Sequence, residues 1–380
     1  MAVFAAPGPA SAAPPPQAQC ANPTGTYAGA VPWGQRLVDP ARVWPLTRGA
    51  GQTVAVIGTG VDGRNGQFAP GQLLGGAGTA EDDCDGRGTI AAGIVGAQQD
   101  PATTFAGIAP GVKLLPIRYT QASGDATAGG DPGALAVAID AASDRNAGVI
   151  LIAVPAASDS PALTAAVNRA RGRGAVVVSP AAATQQGSRT YPTATSGVLA
   201  VGSTNPAGEP VQTEAGDYVG ISAPGAELVS TSAGAGGTVA HRWPVTDAGL
   251  AAAYVAGAAA LVRAYHPELT PDQVVTRLTL TANRPSTGAH DPRRGWGMLD
   301  VYAAVSAEIP ATAPGPGTAV PKRAPGGAIV PAGPAVRPTA DRFSGGLALA
   351  GVALAAAAGI TAAAVRRGRR RHWRPSRFRA

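Results

Sequence analysis

The sequence predicts an α/β domain built on a mainly parallel sheet, followed by one C-terminal transmembrane helix. Three observations carry this. Short β-branched runs alternate with helical patterns between residues 54 and 202, as in a parallel sheet covered on both faces. An uncharged apolar stretch, Ser344 to Val365, is followed directly by an arginine cluster. The composition, 45% hydrophobic and 14% charged, suits a chain that buries a large core.

The first strand is Val54-Ala55-Val56-Ile57, which ends in Gly58-Thr59-Gly60-Val61-Asp62 and so delivers a loop at its carboxyl end, where open α/β sheets keep their sites. The loop Asp83-Cys84-Asp85-Gly86-Arg87-Gly88-Thr89 then leads into an apolar helix start over Ile90 to Val95. Further strands are expected at Leu114 to Tyr119, Val149 to Val154, Ala175 to Ser179 and Val198 to Gly202, with helices at Ala134 to Arg145 and Pro161 to Arg171.

These segments carry a motif frame. Val56-Ile57-Gly58-Thr59-Gly60-Val61 resembles the aspartate motif Val-Ile-Asp-Thr-Gly-Val of the subtilisin-like serine proteases. Asp85-Gly86-Arg87-Gly88-Thr89 resembles their histidine motif Asp-Gly-His-Gly-Thr, and Asp247 to Gly257 their serine motif, with Gly249 at the nucleophile position. Ala106-Gly107-Ile108-Ala109-Pro110, Val198 to Gly202, Ala223-Pro224-Gly225 and Gly295-Trp296-Gly297 follow in the family's order. Together they resemble the mycosins, the membrane-anchored members associated with type VII secretion in actinobacteria. The resemblance spans roughly residues 18 to 306, and it implies a subtilisin-like three-layer fold.

It also implies a degenerate site. A serine hydroxyl needs an imidazole to take its proton and a carboxylate to orient that imidazole. Gly58, Arg87 and Gly249 stand where the resemblance places those groups, and Ala183 is the counterpart of the family's oxyanion asparagine. The expectation is therefore a pseudoenzyme rather than an enzyme. Of the four histidines, His266, His290 and His372 read as structural or surface residues; His241, eight residues before Gly249, is the one that could lie near the cleft. Asp247 lies two residues before the serine position, and a salt bridge to Arg87 across the cleft is one reading. The alternatives are that Asp247 caps the central helix and that Arg87 pairs with Glu81, Asp82, Asp83 or Asp85.

Cys20 and Cys84 match one of the disulfides with which mycosins strap their N-terminal extension across the domain. Neither has metal-ligand spacing, and no metal or cofactor is expected. The organisation expected is a partial signal peptide or N-terminal segment (residues 1–17), a subtilisin-like domain (18–308), a Pro/Gly/Ala-rich linker (309–342), a transmembrane helix (343–365) and a basic cytoplasmic tail (366–380).

The formal charge of +7 comes from that tail, which holds eight arginines; without it the chain is near neutral, so no nucleic-acid partner is indicated. Arginines directly after the apolar span place the C-terminus in the cytoplasm and the folded domain outside. The expected partners are the cell membrane, through the C-terminal helix, and a type VII secretion membrane complex. Three functions stay open: a catalytically inactive structural subunit of that complex, an active serine endopeptidase with a displaced catalytic site, and a cell-surface peptide-binding module.

Overall fold

A computed structural model describes residues 20–75, 82–121, 130–182, 188–285, 288–310, 312–316 and 366–367. The chain divides into two compact units, Met1–Val320 and Pro321–Ala380. The second contributes only Arg366 and Arg367, in a helical turn, to the described residues. The expected transmembrane segment 343–365 and the position of Ala183 lie outside them.

The first unit is centred on six parallel strands: β1 (Thr53–Gly58), β2 (Lys113–Arg118), β3 (Val149–Ile152), β4 (Val176–Pro180), β5 (Leu199–Thr204) and β6 (Val219–Pro224), in the order β2-β1-β3-β4-β5-β6. Every residue of β3, β4 and β5 is buried, as a sheet covered on both faces requires. Helices α3 (Pro132–Asp144) and α4 (Pro161–Gly172) cover one face, burying Leu135, Ile139, Leu163 and Val167 against Ile150, Ile152 and Val177. Helices α2 (Arg87–Gly96), α5 (Ala251–Tyr265) and α6 (Pro271–Leu280) cover the other, and a short helix α1 (Trp33–Val38) precedes β1. An antiparallel pair, β7 (Leu228–Thr231) and β8 (His241–Val245), packs beside α2.

The helix starts follow from capping chemistry. The side chains of Asp131, Ser160 and Thr270 accept from the backbone N–H groups of Ala134, Leu163 and Gln273, and each is followed by a proline at the first helical position. The five strands expected from the sequence all form, with ends shifted by up to two residues. Strand β6 is absent from the sequence expectation, because Val-Gly-Ile-Ser-Ala-Pro lacks a β-branched run; its neighbour β5 recruits it.

Among the described residues, one stretch is long and apolar enough to cross a membrane, Ala248–Tyr265, and 83% of it is buried inside the protein. It is the central core helix. Its small residues allow close packing: a Cβ added at Gly257 would stand 2.8 Å from the Cβ of Ile108.

Candidate active site

The site is built where β1, α2 and α5 converge. The loop after β1 and the start of α2 are bolted together by residues of the motif frame. Gly88 N–H donates to Thr59 Oγ1 (3.0 Å), Thr89 N–H donates to Asp83 Oδ2 (2.8 Å), and Thr89 Oγ1 accepts from Asp62 N–H (2.9 Å). Gly88 must be glycine, because a Cβ there would lie 1.8 Å from the Gly60 carbonyl oxygen. These contacts account for a frame that keeps its shape although the side chains within it differ from the family's motifs.

The three residues that the resemblance sets at the triad positions are Gly58, Arg87 and Gly249. Gly58 ends β1 and is buried, and a Cβ added to it would stand 3.2 Å from the Cβ of Ala153. Gly249 lies in the 3₁₀ turn Ala248–Leu250 ahead of α5, and a Cβ there would stand 2.8 Å from the Ala153 carbonyl oxygen. Ala153 thus fills the space beside both positions.

Between them is a charged cluster. Arg87 Nε lies 3.1 Å from Asp85 Oδ1 and 3.6 Å from Asp247 Oδ2, and the side chains of Arg87, Asp85 and Asp247 are only 12%, 8% and 12% exposed. Asp247 Oδ1 accepts from Gly249 N–H at 2.7 Å, so the same carboxylate also caps the turn leading into α5. Two buried carboxylates share one guanidinium. Burial pushes the Asp85 carboxyl up to about 6 against the pull of Arg87, and burial raises Asp247 as well. Glu81, one of the other possible partners of Arg87, lies outside the described residues.

A cavity of about 770 Å³ opens beside this cluster, lined by residues that include Thr59, Asp85 and Arg118 and, from the N-terminal strap, Cys20, Ala21 and Asn22. Cys20 and Cys84 form a disulfide, which tethers the strap to the loop before α2. His241 is fully buried in β8 and hydrogen-bonds to Gln67 and to the strap, so it belongs to the domain's interior packing. His266 is the C-cap of α5 and bonds to the Val305 carbonyl oxygen, while His290 bonds to that of Val219.

Two features carry no signal in the sequence. Tyr119 Oη–H donates to the Val154 carbonyl oxygen at 2.5 Å, closing the end of β2 onto the segment after β3. Glu214, which is buried, accepts from Thr190 N–H and Thr190 Oγ1–H at 2.9 Å each; burial pushes its carboxyl up to about 7.

The Peptidase_S8 subtilase family matches residues 49–297. Mycosin-4 of Mycobacterium tuberculosis is 36% identical over 364 residues, covering 84% of this chain and 78% of that protein. Among solved structures, the serine protease MycP1, an essential component of the type VII (ESX-1) secretion system, aligns at 28% identity and a TM-score of 0.63, over 77% of this chain and 96% of its own. A chain of the intact ESX-5 inner membrane complex aligns at 28% identity and a TM-score of 0.66, over 91% of this chain and 95% of its own.

These findings correct the expectation that the chain is not an enzyme: the matched family is a peptidase family, and the relatives are proteases, so protease is the class to which the comparisons point. Gly249 itself offers no nucleophile. The chain belongs to the subtilase family and, within it, is of the mycosin type.

Proposed function

We propose that this protein is a membrane-anchored, subtilisin-fold subunit of a type VII secretion membrane complex. The observation that carries this reading is the extent of the match: the ESX-5 complex chain aligns with 91% of this chain, against 77% for the isolated MycP1 protease. In this reading residues 18–308 form the extracytoplasmic domain and 309–342 the tether. Residues 343–365 make a single span, with the arginine-rich tail 366–380 in the cytoplasm. The Arg87–Asp85–Asp247 cluster and the disulfide-tethered strap belong to the face beside the cavity.

The test is native-membrane extraction of the tagged full-length chain in mild detergent, followed by native gel electrophoresis. Comigration with the secretion ATPase and pore proteins supports the assignment. Migration of the chain alone, with those proteins assembled without it, rejects it.

The family match favours a second reading, a serine endopeptidase whose nucleophile lies away from Gly249. Labelling of the purified chain with a serine-directed phosphonate, mapped by peptide mass spectrometry, tests it. A single modified serine or threonine with matching peptide hydrolysis supports this reading, and an unlabelled chain that leaves peptides intact rejects it.

A further inference from the structure

The N-terminal strap is held to β8 through one imidazole. Thr24 N–H donates to the His241 carbonyl oxygen (2.8 Å), and His241 N–H donates to that of Gly25 (2.7 Å), so residues 24–25 add to the edge of β8. Tyr27 N–H then donates to His241 Nδ1 at 3.0 Å, and His241 Nε2 lies 2.6 Å from Gln67 Oε1. The Tyr27 ring packs edge-on against Trp243 with centroids 5.2 Å apart.

The protonation state of His241 follows from its neighbours. Gln67 Nε2 donates to the carbonyl oxygens of Gln98 and Phe105 (2.8 and 3.0 Å), which fixes the amide so that Oε1 can only accept. His241 Nε2 must therefore carry the proton. Its Nδ1 must be bare, because it receives a backbone N–H. A second proton on the ring would set N–H against N–H at 3.0 Å and break the bond to Tyr27.

We propose that His241 is an acid-released latch for the N-terminal strap, neutral when it holds Tyr27 and opening the segment from Thr24 to Ala30 when it is protonated. The surroundings agree. His241 is 0% exposed, and burial pushes its imidazole down to about 4, opposed weakly by Asp100. The groups facing it are Tyr27 from the strap, the neutral Gln67 and Phe105, and Asp100 from the loop after α2; Arg242 and Trp243 follow it on β8. A histidine that is neutral in the folded state and has a depressed pKa contributes stability that is complete above pH ~6.5 and lost as pH falls toward 4. The Cys20–Cys84 disulfide keeps the end of the strap attached, so opening is local and reversible. Cys20, Ala21 and Asn22, which line the 770 Å³ cavity, lie just ahead of the released segment.

The experiment is amide hydrogen exchange by mass spectrometry on the full-length chain in detergent between pH 7.5 and 4, corrected for intrinsic rates. Peptides covering 24–30 are compared with those of β1 and β3. In the natural chain, strap protection is expected to fall about tenfold or more while β1 and β3 stay protected. In His241→Asn, whose side-chain oxygen can accept from Tyr27 without titrating, strap protection is expected to be flat. Equal loss in both chains, or no loss in the natural chain at pH 4, overturns the latch. A proton NMR titration of the natural chain decides the matter if the variant does not fold. His241 titrating far below 6.5, in step with strap exchange, supports the proposal; titration near 6.5 with the strap still protected overturns it.

Discussion

Arg87 Nε lies 3.6 Å from Asp247 Oδ2, so the first residue of α2 and the residue capping the turn ahead of α5 are joined. The shorter contact of the same guanidinium, 3.1 Å, is to Asp85 in its own loop. One cation therefore serves a local partner and a distant one, and it ties the start of α2 to the turn before α5. Removing a single member of such a buried set leaves a charge without compensation, which costs more than the pair contributes when complete.

Arg87→Met is expected to destabilise the domain by about 3 to 5 kcal/mol at pH 8 in denaturant unfolding, the usual cost of orphaning buried carboxylates. The loss should be smaller at pH 5. Asp85, raised to about 6 in the folded protein, contributes stability that is complete below its unfolded value and lost as pH rises through 6, so acid protonates the orphaned group. A double-mutant cycle with Asp247→Asn should give a coupling of about 1 kcal/mol or more. Additive losses would mean that the 3.6 Å approach carries no energy.

Glu214→Gln keeps the shape of the buried side chain that receives the Thr190 backbone N–H and hydroxyl. The carboxyl, raised to about 7 by burial, stabilises the fold when protonated and loses that contribution as pH rises from about 4.5 through 7. The variant should therefore melt higher than the natural chain at pH 8 and show a flatter stability profile between pH 5 and 8. Identical profiles would place the titration of Glu214 elsewhere.

Much of the scaffold was legible in the residues, and the polar detail was not. Val54 to Ile57 and Val149 to Val154 read as buried strands because parallel strands covered on both faces need continuous apolar side chains. The helix expected from Pro161 starts there behind the Ser160 cap, whereas the one expected from Ala134 starts two residues earlier, at Pro132 behind the Asp131 cap. The motif frame placed Gly58, Arg87 and Gly249 at one site through resemblance, and the structure adds that Ala153 fills the space beside both glycines. Glu214 and Thr190, 24 residues apart, meet through a fold-level approach that no local pattern encodes. The same holds for Tyr27 and His241, separated by 214 residues.

Gly249→Ser tests how closely the site has packed around glycine. Its Cβ would stand 2.8 Å from the backbone oxygen of Ala153 and 3.0 Å from Asp247 Oδ1, a side-chain oxygen held in place by the Gly249 N–H. A loss of roughly 1 to 3 kcal/mol is expected, as for other overpacked interiors. Thermal melting of Gly249→Ala beside Gly249→Ser separates the terms: equal losses assign the cost to the Cβ, and a larger loss for serine assigns it to the hydroxyl. A variant as stable as the natural chain would show that the contact between Ala153 and the turn before α5 yields easily.

The Cys20–Cys84 bond closes a chain segment of sequence separation 64, across which the first strand of the sheet is also formed. Cross-linking a loop of this length lowers the entropy of the unfolded chain by an amount worth ~4 kcal/mol at most. Replacing both cysteines with serine should lower stability by about 2 to 4 kcal/mol, read from urea unfolding under non-reducing conditions. Part of that loss is expected to be local, because Ala21 N–H donates to the Cys84 carbonyl oxygen at 2.7 Å and that contact has to hold the strap without its covalent neighbour. Limited proteolysis should then cut the double variant first between residues 20 and 32, where the segment is largely exposed. Cleavage elsewhere in the domain at the same protease dose would show that the bond supports the whole fold rather than the strap.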